Sequence, residues 1–332
     1  MSNSQLSVLC TAFLAGSLIV AGTNVLMVRS AARVSLPARR AMVAVMPRMK
    51  GDAYFASCRK GAEEAARELG VELTWDAPTS LDSTGQIEII ETWITRHVDA
   101  IAVASADQAG ISPVLRKARA RGIPVITWDS DAQPGARDLF VNPAAPEETG
   151  RILADEAGCL LDGKGDVAIL TGASHQCLET LRTRLSLEYP ALKLAAIRPS
   201  EDRGQAFQET QALMKTHPSI RLIVALSPSA LPGAAEAVLQ SGRPGVRVIG
   251  VGLPASCRRY LDVGLVPVLV HWDTQDLGYL TVYTAALLAR HRLDTNSDSL
   301  VAGRLGKREV CGGEIVLNPP RVERPILKTP GP

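Results

Sequence analysis

Aromatic side chains are scarce, only 4% of 332 residues, so the interior must be filled by Ala, Val, Leu and Ile, the usual core of α/β proteins. The six cysteines, Cys10, Cys58, Cys159, Cys177, Cys257 and Cys311, lie far apart. None forms a Cys-x-x-Cys pair, which removes the common zinc and dithiol motifs. The five histidines, His97, His175, His217, His271 and His291, lack the helical spacing of a metal site. Signatures for nucleotide binding and for a nucleophile elbow are missing as well. No Gly-x-Gly-x-x-Gly follows the first strand, no P-loop lysine motif occurs, and Gly-x-Ser-x-Gly is absent. The expectation is no metal, no cofactor and no catalytic residue. A basic surface is lacking too. The net charge of +2 arises from Arg29, Arg33, Arg39 and Arg40 in an acid-free start, which leaves 32 basic against 34 acidic residues after position 40. Nucleic-acid binding therefore loses its electrostatic basis.

The start carries the longest apolar run. Residues 6–28 contain no charge over 23 positions, long enough to span a bilayer. The preceding Met-Ser-Asn-Ser-Gln has no basic side chain, and the arginines come after the run. Positive-inside logic alone would keep the rest of the chain in the cytoplasm. Ser30-Ala31-Ala32 offers small residues for cleavage, so residues 1–40 are read as a signal peptide or membrane anchor with a linker.

From Ala41 onward, short apolar runs alternate with segments of helical period. Strands are expected at 42–46, 71–75, 100–104, 125–127 and 139–141, with helices at 53–69, 86–95 and 111–120 between the first four. Residues 142–146 contain two prolines and read as a crossing, after which a second strand–helix series begins. His271-Trp272-Asp273 reads as a return, a helix is expected at 276–290 and a last strand at 314–317, and the proline-rich tail should run over the surface. The fold class is α/β, with two doubly wound parallel-sheet lobes joined by a multi-crossing hinge. The expected boundaries are 41–142 with 274–305 for the first lobe, and 143–273 with 306–332 for the second lobe and tail.

One stretch organises the rest: Gly122-Ile-Pro-Val-Ile-Thr-Trp-Asp-Ser-Asp131. Its apolar β-branched centre reads as a buried parallel strand, and its acidic end lies at the carboxyl edge, where open α/β sheets hold ligands. Asp129 and Asp131 each offer two acceptor oxygens to ligand hydroxyls, or cap the next turn.

Together with Glu64–Pro78, Ala230-Leu231-Pro232 and Trp272-Asp273, this stretch resembles type I periplasmic sugar-binding proteins, nearest the branch of rhamnose-binding and Lsr autoinducer-binding proteins. The resemblance covers roughly residues 41–317 and implies a hinged cleft between the lobes. It implies ligand-binding positions as well. Asp129 matches the family's strand-end aspartate, and Arg48 stands where the autoinducer binder has a lysine. Tyr54 and Phe55 stand where ribose binders place rings against the sugar, although both also suit a core at a helix start. In the second lobe the loop 171–176 is shorter than in the autoinducer binder, leaving His175 and Gln176 as the nearest polar candidates. Ser227 takes the place of a ligand asparagine, Gly252 that of an aspartate, and Trp272 that of a hinge glutamine, where it either meets ligand or fills the hinge.

The function these readings imply is extracytoplasmic capture of a sugar or sugar-like polyhydroxylated ligand for an ABC importer. The chain would act as a periplasmic monomer, with the ABC transporter permease as partner and membrane contact through an uncleaved leader. The alternatives are a membrane-tethered sugar-sensing domain without transport, or a sugar-active enzyme.

Overall fold

Along Met42–Met46 (β1), Val43 and Val45 face one side while Ala44 and Met46 face the other, and all four are buried. A strand covered on both faces belongs inside a parallel sheet with helices above and below. The computed structural model describes residues 39–172, 175–200, 202–317 and 319–325. The apolar run at 6–28 lies outside them. Among the described residues no helix is long and apolar enough to cross a membrane.

The first lobe continues with α1 (Ala53–Leu69), β2 (Glu72–Trp75), α2 (Ser83–Thr95), β3 (Ala100–Val103), α3 (Gln108–Ala120), β4 (Val125–Trp128) and β5 (Leu139–Asn142). The chain then crosses into α4 (Pro146–Leu160), β6 (Gly165–Thr171), α5 (His175–Glu188), β7 (Leu192–Pro199), α6 (Arg203–Thr216) and β8 (Ile220–Ala225). The second lobe proceeds through α7 (Ala230–Ser241), β9 (Arg247–Val251), α8 (Pro254–Asp262) and β10 (Val268–His271). After a second crossing come α9 (Thr274–Ala289), β11 (Ser299–Val301), β12 (Lys307–Glu309), β13 (Glu314–Val316) and β14 (Arg321–Glu323).

The first sheet runs β13-β5-β4-β3-β1-β2, wholly parallel, and the second runs β14-β10-β9-β8-β6-β7. Each sheet is a doubly wound unit with helices on both faces. In the first lobe α1 and α9 cover one face, and α2 and α3 the other. The first two helices of that lobe start where Asp52 and Asp82 cap them, and Asp107 and Asp273 do the same for α3 and α9. A Cβ at Gly61 would lie 1.8 Å from the Gln275 carbonyl oxygen, and one at Gly278 would lie 1.8 Å from that of Cys58. Only glycine lets α1 and α9 cross so closely, and that contact fastens the returning chain to the first lobe.

Two expectations need correction. Residues 306–332 do not all belong with the second lobe: β13 pairs in parallel with β5, placing Ile315 and Leu317 in the first lobe's interior. The tail is not merely superficial either, because β14 pairs antiparallel with β10 and forms the edge of the second sheet. Both strands have three residues, and their places rest on pairing partners far away in sequence. The passage from β13 to β14 is thus a third crossing between the lobes.

Candidate functional site

All the parallel strands of a lobe present their carboxyl ends to the same side, and the loops leaving those ends enclose a cavity of about 380 Å³. Arg48 enters it from the end of β1, Ser105 from β3, Asp129 to Asp131 from β4 and Asn142 from β5. The second lobe contributes His175, Gln176 and Cys177 at the start of α5, Leu226 to Pro228 after β8, and Val251 at the end of β9. Trp272, at the second crossing, closes one side.

Asp129 is the centre of this arrangement. The Ser130 N–H donates to the Trp128 carbonyl at 2.7 Å, making a three-residue turn with Asp129 at its apex. Its φ of 62° is in the left-handed region, which Asp and Asn tolerate better than other side chains that carry a Cβ. Strain of this kind persists where surrounding structure fixes it. Here Trp128 supplies the anchor: it is fully buried, its Nε1 donates to the Met46 carbonyl at 3.2 Å, and Phe55 packs edge-on against it at 5.5 Å. Asp129 Oδ1 accepts from the Tyr54 hydroxyl at 2.5 Å. Among the described residues no hydrogen bond reaches Oδ2, and Asp129 lines the cavity. Burial pushes the Asp129 carboxyl up to about 6, while the Tyr54 hydrogen bond and the Arg48 charge pull it down and Asp52 pushes it up further.

The neighbouring loops are held from behind. The buried Gln86 amide donates to the Ala104 carbonyl at 2.9 Å and accepts from the Ala106 N–H at 3.0 Å, fixing the loop that carries Ser105. Asp131 also borders the cavity, but Arg137 donates to both its oxygens at 2.8 Å, and Thr127 and the Ala132 N–H add further bonds. This carboxylate is committed to the fold. Arg137 in turn donates to the Gly313 carbonyl at 2.9 Å, tying the turn to the segment before β13.

Of the positions singled out in the sequence, Arg48, Asp129, Asp131, His175, Gln176, Ser227 and Trp272 all border the cavity. Tyr54 and Phe55 do not. Both rings are buried in the first lobe's interior, because helical phase turns this first part of α1 onto the sheet. Gln176 donates its amide to Glu147 and so is partly occupied. A Cβ at position 252 would lie 2.7 Å from Leu231 Cδ2, so any side chain there would require that leucine to shift.

Sequence reasoning missed Ser105, Asn142, Cys177 and Glu314 as wall residues. Asn142 ends a strand in the same way as Asp129 and was open to the same argument. Glu314, which accepts from Asn142 Nδ2 at 2.5 Å, was not, since only the pairing of β13 with β5 brings it there. The result is a cavity of mixed lining. Charged and amide groups of the first lobe face a second-lobe wall in which the polar His175, Gln176 and Ser227 stand beside the apolar Leu226, Pro228 and Val251. Such a surface can pair with several hydroxyls of a small molecule and cover its apolar carbons. Among the described residues no group of three or more His, Cys, Asp or Glu could hold a metal ion.

The chain is similar to known proteins along most of its length. It is 29% identical over 205 residues to the ribose import binding protein of Bacillus subtilis, a match spanning 59% of this chain and 65%, just under two thirds, of that relative. An ABC transporter solute-binding protein from Clostridium phytofermentas, solved with bound L-rhamnose, superposes with a TM-score of 0.82 at 25% identity, over 86% of this chain and 96% of the other. The LsrB protein of Clostridium saccharobutylicum, solved with AI-2, has the same fold, with a TM-score of 0.79 at 22% identity over 85% and 97% of the two chains. The family model for the periplasmic binding protein domain matches residues 43–293, most of the chain. With its two lobes, three crossings and interlobe cavity, the chain belongs to the periplasmic binding proteins, in their type I form.

Proposed function

We propose that this protein captures a sugar or sugar-like polyhydroxylated ligand outside the cytoplasm and delivers it to an ABC importer. The observation that carries the reading is the Asp129 carboxylate, set on a strained turn at the cavity floor with one oxygen bound by Tyr54 and no hydrogen bond to the other among the described residues. An ionised carboxylate accepts short, charge-assisted hydrogen bonds from adjacent hydroxyls. Arg48 at the same floor donates to ligand oxygens, and the cavity volume suits a small molecule held on most sides. Ser227 and His175 are the second lobe's polar contacts, and Trp272 shields the ligand at the hinge. The chain binds its ligand and releases it unchanged. One copy completes the cavity from its own two lobes, so the reading needs no second subunit. The apolar run at 6–28 would export the domain or hold it at the membrane.

A thermal-shift screen of the purified protein against pentoses, hexoses, deoxyhexoses and polyols tests this, because a ligand that binds only the folded form raises its melting temperature. At least one neutral sugar should raise it in a concentration-dependent way. Turnover of that sugar, or no response to any of them, would defeat the reading.

A further inference from the structure

We propose that Tyr54 is a positioning residue: its hydroxyl, held between the hinge indole of Trp272 and the carboxylate of Asp129, sets Asp129 for its ligand and makes that setting depend on the hinge. The inference rests on the reading of Asp129 as the ligand carboxylate. Its relay can nevertheless be tested without any ligand.

The polarity of the relay is set by the groups themselves. An indole N–H only donates, and an ionised carboxylate only accepts. Trp272 Nε1 lies 2.9 Å from the Tyr54 hydroxyl oxygen, which must therefore accept, and its single proton points to Asp129 Oδ1 at 2.5 Å. The Tyr54 ring has little freedom. It is buried, edge-on to Phe55 at 5.1 Å and to Trp272 at 6.3 Å. Chains of hydrogen bonds polarise one another, so donation from the indole makes the hydroxyl a better donor to the carboxylate.

The start of α1 is tied both to the second crossing, through Tyr54 and Trp272, and to the second lobe, through Asp52 and Ser229. Trp272 immediately precedes the Asp273 cap of α9 at the second crossing, and its ring packs against the interiors of both lobes. Asp52, the cap of α1, accepts from the Tyr54 N–H at 2.7 Å with Oδ1 and from Ser229 Oγ of the second lobe at 2.6 Å with Oδ2. Closing the lobes brings these three attachments together and fixes the hydroxyl. Opening them pulls on the same turn. The groups that act on the Asp129 charge are Arg48 from the loop after β1, Asp52 at the cap of α1, and Tyr54 on α1 itself. Cys58, one turn further along α1, feels the Asp129 charge as well, and burial keeps its thiol neutral by raising it well above the usual thiol range.

The test tracks the Asp129 carboxyl signal by NMR in full-length protein labelled with ¹³C-aspartate, identified by its loss in Asp129→Asn. The wild type should titrate at about pH 6. In Tyr54→Phe the midpoint should rise, since a bond to the ionised form is lost while ring packing stays. Trp272→Phe should raise it by less, and it carries the test alone if Tyr54→Phe does not fold. A residue that only fills space would leave both midpoints in place, and that result would overturn the proposal. Movement in Tyr54→Phe without any in Trp272→Phe would overturn the hinge dependence. With L-rhamnose as the probe ligand, Tyr54→Phe should weaken binding roughly tenfold, the cost of one charge-assisted hydrogen bond. Its affinity–pH profile should shift in step with the carboxyl. Equal L-rhamnose affinity in wild type and Asp129→Asn would defeat the ligand role of Asp129, while the carboxyl titration still judges the relay.

Discussion

Replacing Asp129 with Asn should make the empty protein more stable while damaging its ability to bind. The carboxyl is raised from its ordinary 3.8 to about 6 by burial, so the folded state holds its proton more tightly than the unfolded chain does. The stability linked to this proton is fully present below the unfolded pKa and is lost as pH rises through about 6. A shift of roughly two units at about 1.4 kcal/mol each amounts to about 3 kcal/mol, the free energy the empty cavity sacrifices to keep an ionised carboxylate at neutral pH. Asn has nearly the same shape, accepts the Tyr54 proton, and tolerates the left-handed φ equally well. Urea unfolding of both proteins without ligand provides the assay. At about pH 8 the Asn variant should gain up to ~3 kcal/mol, and at about pH 4 the gain should shrink toward zero. A pH-independent difference would place its origin in the turn conformation. A loss at the higher pH would refute the reasoning outright.

Other perturbations have equally definite outcomes. Arg137→Ala removes both bonds to Asp131 and the tie to Gly313, and should destabilise the fold by about 3 kcal/mol in denaturant unfolding. Gly278→Ala drives a Cβ to 1.8 Å from the Cys58 carbonyl oxygen, so α1 and α9 must separate; the cost should reach ~3 kcal/mol or more, read in the same way. Ser229→Ala deletes the bond from the second lobe to Asp52, and should lower the closed-to-open ratio of the empty protein about fivefold. Small-angle scattering would show this as a larger radius of gyration, and an unchanged radius would count against a role in closure.

The sequence was most legible where local rules act alone. Alternation of buried apolar strands with amphipathic helices declared the two doubly wound lobes, and the position of Asp129 at a strand's carboxyl end pointed to the cavity from residue order alone. Asp52, Asp82, Asp107 and Asp273 as helix caps were readable by the same kind of rule, though Asp82 starts α2 three residues before the expected position 86. Helical phase was harder. Tyr54 and Phe55 have the right chemistry for a sugar, but one buried turn of α1 points them inward, and periodicity gives no absolute direction at a helix start. Short terminal strands were the least legible part. The three residues of β13 and the three of β14 carry almost no periodic signal, and their sheets are chosen by partners distant in sequence or by the core space left for Ile315. That is why neither the place of Glu314 in the cavity wall nor the division of residues 306–332 between the two lobes can be read from the sequence.

The central claim is that Asp129 holds the ligand. Calorimetric titration of wild type, Asp129→Ala and Asp131→Ala with the sugar found by screening tests it most directly. Losing two hydrogen bonds to a charged acceptor, at about 1.5–3 kcal/mol each, should weaken Asp129→Ala by roughly a hundredfold or more. Asp131→Ala should lose far less affinity, because Arg137, Thr127 and the Ala132 N–H already occupy its carboxylate. Unchanged affinity in Asp129→Ala, or a larger loss at Asp131, would contradict the account.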